Sequence, residues 1–201
     1  FKGYIPLKII PGSSHAAIRQ PLSLATAVSL NIETAGEGNF KQLSTSKDYQ
    51  RDILGPIQLI SRLTARGGAY QGIKQTTQFV VGASQETDRE IIGYSWRLYR
   101  ELGLSRVYFS GYQRGAGASD LPGEHSASSN RDILAREHRL YQTDWLLRKY
   151  GFSAEEIPLE ADGNLSLSVD PKERWAQLHP EYFPVNVNTD DKVRLLRVPG
   201  L

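Results

Sequence analysis

The sequence QFVVGASQETDREIIGYSWRLYRELGLSRVYFSGY, residues 78–112, decides the fold. Its two apolar runs, Gln78–Ala83 and Arg106–Tyr112, are nearly continuous rather than alternating, which is typical of strands buried on both faces. Between them, Thr87–Leu102 repeats apolar residues at a helical period, with a threonine cap at its start and glycine directly after its end. This strand–helix–strand order predicts a parallel βαβ unit with a right-handed crossover.

The same alternation extends toward the amino terminus. Tyr4–Ile10 and Ala27–Ile32 are two further apolar runs, and His15–Ala25 and Lys47–Arg66 have helical character. The order βαβαβαβ predicts an α/β fold with a parallel sheet.

The remainder of the chain is predicted to be helical after a long loop. Gly115–Asn130 is rich in Gly, Ser, Ala and Asp, so it is either a lid or substrate loop, or a tolerated insertion. A helix over Ile133–Tyr150 completes the first predicted unit, residues 1–150. Residues 151–201 form a carboxy-terminal extension. It ends in a short helix, Lys192–Arg197, before a Val-Pro-Gly-Leu turn that is either half of a helix-hairpin-helix or a simple helix stop.

Composition excludes several function classes. The chain has 201 residues, 39% of them hydrophobic and 23% charged, which suits one folded domain and not a disordered chain. The absence of cysteine excludes disulfides, thiolate nucleophiles and iron–sulfur or zinc–thiolate sites made by this chain alone. No secretory leader or membrane-spanning run is visible, so we expect a cytoplasmic protein without a membrane partner. A net charge of +2 does not by itself indicate a nucleic-acid binder.

Both ends of the sequence look abrupt. The chain contains no methionine, opens at Phe1 on an apparent buried strand and closes at Leu201 inside a turn. We expect a fragment of a longer protein, with a processed or engineered chain as the alternative.

The candidate site lies where the predicted strands end, because parallel sheets place their functional residues at the carboxyl ends of the strands. Asn31 and Glu33 alternate by two, so an amide and a carboxylate project together and can bind vicinal hydroxyls or an ammonium group. Strand-end solvation is the alternative. Lys8 lies within an apolar run, so we expect its ammonium to meet a ligand anion or to pair internally with Glu33.

Other groups of candidate functional residues give weaker signals. The four histidines lack metal-ligand spacing, and Ser110 lacks the GxSxG context of a serine hydrolase. Glu137 and Asp144 share one face of the long helix with leucines, where they form ion pairs or point at a ligand.

Several stretches resemble the DNA modification and repair family of radical SAM proteins, and the similarity spans nearly the whole chain. REHRLYQTDWLLRKYG is the most specific of them. The stretches are YIPLKIIPG (residues 4–12), VSLNIE (28–33), TQFVVGAS (77–84), RVYFSGY (106–112), REHRLYQTDWLLRKYG (136–151), DPKERWAQLHPEYFPVNVN (170–188) and LLRVPGL (195–201).

The resemblance implies strands three to six of a partial, TIM-like (βα)6 barrel, followed by carboxy-terminal helices. It also implies a [4Fe–4S] cluster on a CxxxCxxC loop, which would lie upstream of Phe1, and S-adenosylmethionine as the source of a 5′-deoxyadenosyl radical. Asn31 and Glu33 match positions that hold the S-adenosylmethionine ribose and amino groups. The other cofactor-binding positions carried over are Gly82, Ser84, Ser110, Tyr112 and Lys8, the last without an assignable role.

These implications predict a segment of a radical SAM enzyme that acts on nucleic acid and is inactive as a separate chain. DNA and a separate protein acting on the same substrate are the expected partners. The alternative is a non-enzymatic DNA-binding module that uses the arginine-rich helix, Arg131–Arg148, and the carboxy-terminal hairpin. A complete metal-independent barrel enzyme would need about eight strands, more than the sequence supplies.

Overall fold

A parallel four-stranded sheet forms the centre of the computed structural model, which describes residues 3–115 and 117–201. The strands follow one another in the order β1-β2-β3-β4, and each pairs in parallel with the next. The predicted α/β fold is therefore confirmed. The strands are β1 (Pro6–Lys8), β2 (Ala27–Ser29), β3 (Lys74–Val81) and β4 (Arg106–Gly111).

Seven α-helices connect or follow the strands in the described ranges. The longest, α4 and α5, begin with complete capping boxes, made by Thr87 with Glu90 and by Ser129 with Asp132. The helices are α1 (His15–Leu22), α2 (Glu37–Leu43), α3 (Gly55–Thr64), α4 (Asp88–Leu102), α5 (Asn130–Lys149), α6 (Pro171–Leu178) and α7 (Lys192–Leu195). None of these helices is both long and apolar enough to cross a membrane.

The helix predicted over Lys47–Arg66 is divided into a π-helical segment, Tyr49–Leu54, and α3. Proline explains the division. In a regular α-helix residue 56 would donate to the Asp52 carbonyl, but Pro56 has no N–H. The Asp52 carbonyl instead accepts a hydrogen bond from the Gly12 N–H at 3.1 Å. The π-helical turn thus fastens the loop after β1 to the helical layer.

Helices cover only one face of the sheet, although Ala27 of β2 is buried on the other. Phe79, Val107 and Phe109 lie on the covered face and pack into a core shared with helices α1, α3, α4 and α5. The opposite face otherwise carries side chains that are exposed or half-buried, including Thr76, Gln78 and Tyr108. The prediction of strands buried on both faces is wrong for this face, because the helices cover only one side. We call the uncovered side the open face.

The outer edge of β4 is closed by side chains. Its outward N–H groups belong to Val107, Phe109 and Gly111. They donate to the Tyr99 hydroxyl at 2.8 Å, the Tyr141 hydroxyl at 3.1 Å and the Glu137 carboxylate at 2.6 Å, respectively. The Tyr141 hydroxyl also donates to the Phe109 carbonyl at 2.9 Å. The backbone of β4 is therefore satisfied without a further strand, whereas β1 pairs on one side only within the described residues.

Cation–aromatic contacts hold the end of the described chain against the α5–α6 region. The guanidinium of Arg197 is buried, lies 3.7 Å from the centroid of the Phe152 ring and pairs with Glu156 at 2.7 Å. The centroid of the Trp175 ring lies 5.1 Å from the same guanidinium. Because the guanidinium is buried between these two rings, its cation–aromatic contacts are stronger than exposed ones.

Candidate functional site

A β-bulge places the first candidate residues. Ser29 pairs with Thr76, but Glu33 pairs with Phe79, so four residues along this chain segment match three along β3. The Thr77 hydroxyl fills the gap, because it donates to the Leu30 carbonyl at 2.7 Å and accepts from the Ile32 N–H at 2.9 Å. Bulges of this kind redirect side chains, and they are common beside active sites.

Asn31 and Glu33 lie in and directly after this bulge. Asn31 is only 8% exposed, and its Oδ1 has no hydrogen-bond partner among the described residues. Glu33 has a positive φ of 67°, which is unusual for a residue with a side chain. Burial raises the pKa of the Glu33 carboxyl, while the nearby Asn31 amide and Lys8 charge oppose the rise. The structure thus brings these three predicted residues into one neighbourhood.

Lys8 differs from its prediction. Its side chain is exposed at the end of β1 rather than buried, because the open face is not covered. No ion pair within 4.0 Å joins it to Glu33 in the described part of the chain, although its charge lowers the pKa of that carboxyl. The predicted need for a buried partner is therefore wrong.

A buried carboxylate, Glu86, organises the end of β3. It is 4% exposed and accepts hydrogen bonds from the Gly82 N–H at 2.8 Å and from the Ser84 hydroxyl. The Ser84 hydroxyl lies 2.6 Å from the hydroxyl of Thr34, the residue after Glu33. Glu86 therefore ties together the chain segments that follow β2 and β3. The predicted residues Gly82 and Ser84 contribute to this network, with the Ser84 hydroxyl already engaged.

Sequence patterns did not identify Glu86 or Thr34. Their contacts join residues 50 or more positions apart, which a local pattern does not reveal. The only available signal was the position of the Glu86 carboxylate, four residues after Gly82 at the end of a predicted strand.

The end of β4 carries the third pair of predicted residues. The Tyr112 hydroxyl donates to Glu124 Oε1 at 2.6 Å, and the same carboxylate accepts from the Gly115 N–H at 2.9 Å. Farther along the loop, the Gly123 N–H donates to the Ala83 carbonyl at 3.1 Å. The described part of the loop after β4, from which residue 116 is excluded, therefore lies across the ends of β3 and β4; the two alternatives, a lid or substrate loop and a tolerated insertion, stay predictions.

Two clefts adjoin this loop. One, of about 570 Å³, opens between the end of β3 and the start of α5, where Arg136 pairs with Asp88 at 2.6 Å. The other, of about 550 Å³, is lined by Ser110, Tyr112 and Glu137. Ser110 thus lies near Tyr112 but in a different cleft from Ser84. The seven predicted residues form three groups along the strand ends rather than one pocket.

The carboxylates on α5 bind the protein itself. Asp144 accepts from Arg148 at 2.6 Å and from the Tyr99 hydroxyl, and Glu137 accepts from the backbone of β4. An ion pair was one of the two predicted alternatives, and it is confirmed for Asp144. Among the described residues, no group of three His, Cys, Asp or Glu side chains could hold a metal ion.

No protein-family model, curated protein or solved structure matches the chain. Function is therefore inferred from the residues of the strand ends and from the resemblance described above.

The two groups that the resemblance implies fit this chain differently. A [4Fe–4S] cluster requires thiolates, and these 201 residues contain no cysteine, so the cluster does not fit here. S-adenosylmethionine does fit the neighbourhood of Asn31 and Glu33. The unpartnered Oδ1 can accept from a ribose hydroxyl, and the carboxylate can accept from a hydroxyl or an ammonium group.

Glu33 is expected to make stability depend on pH. Because its pKa is raised above 4.5 in the folded state, folding favours the protonated carboxyl. Holding the ionised Glu33 carboxylate in the folded state lowers the free energy of unfolding. This loss is absent below the unfolded-state pKa, grows as the pH rises toward the folded-state pKa, and is constant above it. Glu33→Gln should therefore be more stable than the parent chain at about pH 7, and equally stable at about pH 3.5.

Urea unfolding at the two pH values measures this difference. Glu37→Gln is the control, and its change in stability should have the opposite sign. Lys41 lowers the pKa of Glu37, so the substitution should reduce the free energy of unfolding at neutral pH. An unchanged stability of Glu33→Gln at neutral pH would contradict the prediction.

Proposed function

We propose that this chain is a segment of a radical SAM enzyme that modifies or repairs nucleic acid, and that it supplies strands three to six of the barrel. The observation that carries the proposal is the one-sided sheet. Open doubly wound parallel sheets have helices on both faces, whereas a barrel wall has helices on its outer face only, and its other face points into the barrel. The open face, where Thr76, Gln78 and Ser110 are half-buried, has no helix packed over it, which supports the barrel-wall arrangement.

The bulge after β2 supports the cofactor assignment. It holds the buried Asn31 Oδ1 without a partner, and it places the Glu33 carboxylate beside the Lys8 charge. In the proposed complex, Asn31 accepts from the ribose of S-adenosylmethionine and Glu33 accepts from its ribose or amino group. Glu86 acts as a positioning residue, because it fixes Gly82 and Thr34 on either side.

An iron–sulfur cluster would supply the electron for reductive cleavage of S-adenosylmethionine, and no residue of this chain would ligate it. Its ligands belong outside these residues, so the chain's own contribution is to bind and orient the adenosine and to shield it from water. Glu33 is half-buried, and this partial burial raises the pKa of its carboxyl.

Binding of S-adenosylmethionine by the chain tests this proposal. Asn31→Ala removes the unpartnered acceptor, and we expect its affinity by isothermal titration calorimetry to fall about tenfold. Asn188→Ala, in an exposed segment, is the matched control and should bind like the parent. Absence of binding by the parent, or equal affinities of the two variants, would contradict the proposal.

The alternative, a non-enzymatic DNA-binding module, stays a prediction that the geometry does not favour. The arginines on which it depends are largely used internally. Arg136 and Arg148 pair with buried aspartates, Arg197 is buried against aromatic rings, and Arg194 contacts the Tyr182 ring and Asp190. Cations in such pairs contribute less to phosphate binding than exposed, unpaired ones.

A further inference from the structure

The open face carries a cluster of cations with an aromatic ring. Thr76 pairs with Arg106 and Gln78 with Tyr108 across β3 and β4, so their side chains share one side of the sheet. Lys74 lies two residues before Thr76 and projects to the same side. We call Lys74, Thr76, Arg106 and Tyr108 the cationic patch.

The cations of this patch have no carboxylate partner. Neither Lys74 nor Arg106 forms an ion pair within 4.0 Å in residues 3–115 and 117–201. The Arg106 guanidinium lies over the Tyr108 ring at 5.1 Å, and its Nε is buried without an acceptor. Lys74 is exposed and Arg106 is half-buried, so their unpaired charges are complementary to an anion on this face.

A row of side chains crosses the sheet from this patch to Lys8 on β1. The strand register aligns Lys8, Ser29, Thr76 and Arg106 across all four strands. The ends of the row are about 14 Å apart, from three strand spacings. Its far end is Lys8, whose charge lowers the pKa of the Glu33 carboxyl. The row thus has a cation at each end and two hydroxyls between them.

We propose that the open face binds single-stranded nucleic acid, with Lys74 and Arg106 on its phosphates and the Tyr108 ring against a base. This proposal rests on the proposed function and names how its substrate is held. Phosphates match the unpaired cations, and Tyr108, which is 38% exposed, offers a ring for stacking. Only a single strand presents base faces to such a ring, and an acidic peptide would leave it unused.

Fluorescence anisotropy with a labelled single-stranded oligonucleotide of about 12 nucleotides tests the proposal. For the parent chain, we expect binding that weakens with salt. The variant Lys74→Gln/Arg106→Gln should bind about tenfold more weakly at low salt, and its slope of log K against log salt should be smaller by about 1.4. Arg19→Gln/Arg66→Gln changes two exposed cations elsewhere, carries the same net charge and should bind like the parent.

Tyr108 is tested separately because it has no charge. Tyr108→Leu should weaken binding about tenfold with an unchanged salt slope, and Tyr108→Phe should restore it. Thermal unfolding of each variant, followed by circular dichroism, shows that the fold is retained.

Several outcomes would overturn the proposal. These are equal binding by the two double variants, equally tight binding of a duplex of the same length, and equally tight binding of polyglutamate. S-adenosylmethionine affinity is measured on the same proteins. Suppose that the parent binds S-adenosylmethionine while all the variants bind the oligonucleotide as the parent does. In that case the open-face proposal fails and the proposed function does not.

Discussion

Replacing Asp144 by alanine is expected to lower the free energy of unfolding by about 3–5 kcal/mol. Asp144 is 2% exposed and accepts hydrogen bonds from Arg148 and from the Tyr99 hydroxyl. Removing the carboxylate leaves a largely buried guanidinium without its partner, and that uncompensated charge accounts for most of the cost. The Tyr99 hydroxyl also accepts from the Val107 N–H, so the loss reaches the edge of β4.

Urea denaturation followed by circular dichroism measures this loss. Glu37→Ala is the matched control, because Glu37 and Lys41 form the same kind of i,i+4 pair on an exposed surface. Its removal should cost much less free energy of unfolding than removal of Asp144, because solvent screens an exposed pair. Asp144→Asn should be intermediate, since an amide oxygen can accept from Tyr99 but does not neutralise Arg148. If Asp144→Ala were no more destabilising than Glu37→Ala, the buried pair would not have the role assigned to it.

Replacing Glu86 by alanine is expected to cost about 3 kcal/mol, mainly because the buried Gly82 N–H loses its acceptor. The Ser84 and Thr34 hydroxyls can turn toward each other, since their oxygens are 2.6 Å apart. Glu86→Gln should retain most of the stability. Its amide oxygen can accept from Gly82, and its NH2 group can donate to the hydroxyl oxygens.

The same two variants separate stability from function. Because Glu86 ties the segment after β2 to the end of β3, Glu86→Ala should also weaken S-adenosylmethionine binding at temperatures where the variant remains folded. Glu86→Gln should bind nearly as well as the parent. Unfolding is measured by urea titration and binding by calorimetry. Equal affinities of the alanine variant and the parent would mean that Glu86 stabilises the fold without positioning the site.

The elements predicted best from sequence are those whose ends are marked by local chemistry. Thr87 and Gly103 delimit α4, and β4 is an apolar run that ends at a glycine, so both lie close to their predicted limits. The first half of β3 was missed because Gln75 and Thr77 are polar. Both are buried, and their polar atoms donate to the carbonyls of Ile57 and Leu30. Such tertiary hydrogen bonds leave no local pattern.

The candidate site shows the same division. Asn31 and Glu33 were identifiable because a polar residue pair follows an apolar run. The bulge that separates them from β2 depends on the Thr77 hydroxyl, which comes from another strand. Lys8 was expected to be buried because sequence periodicity does not show which face of a parallel sheet the helices leave uncovered. Which face remains uncovered depends on how all the helices pack together.

The closed edge of β4 limits how copies of this chain can polymerise. An exposed strand edge is a template for another strand, and a chain with two such edges can add partners without end. Here one of the two sheet edges is already occupied by Tyr99, Tyr141 and Glu137. Two molecules that join through β1 use both of their remaining edges, so strand-to-strand association ends at a pair and does not propagate into a fibre.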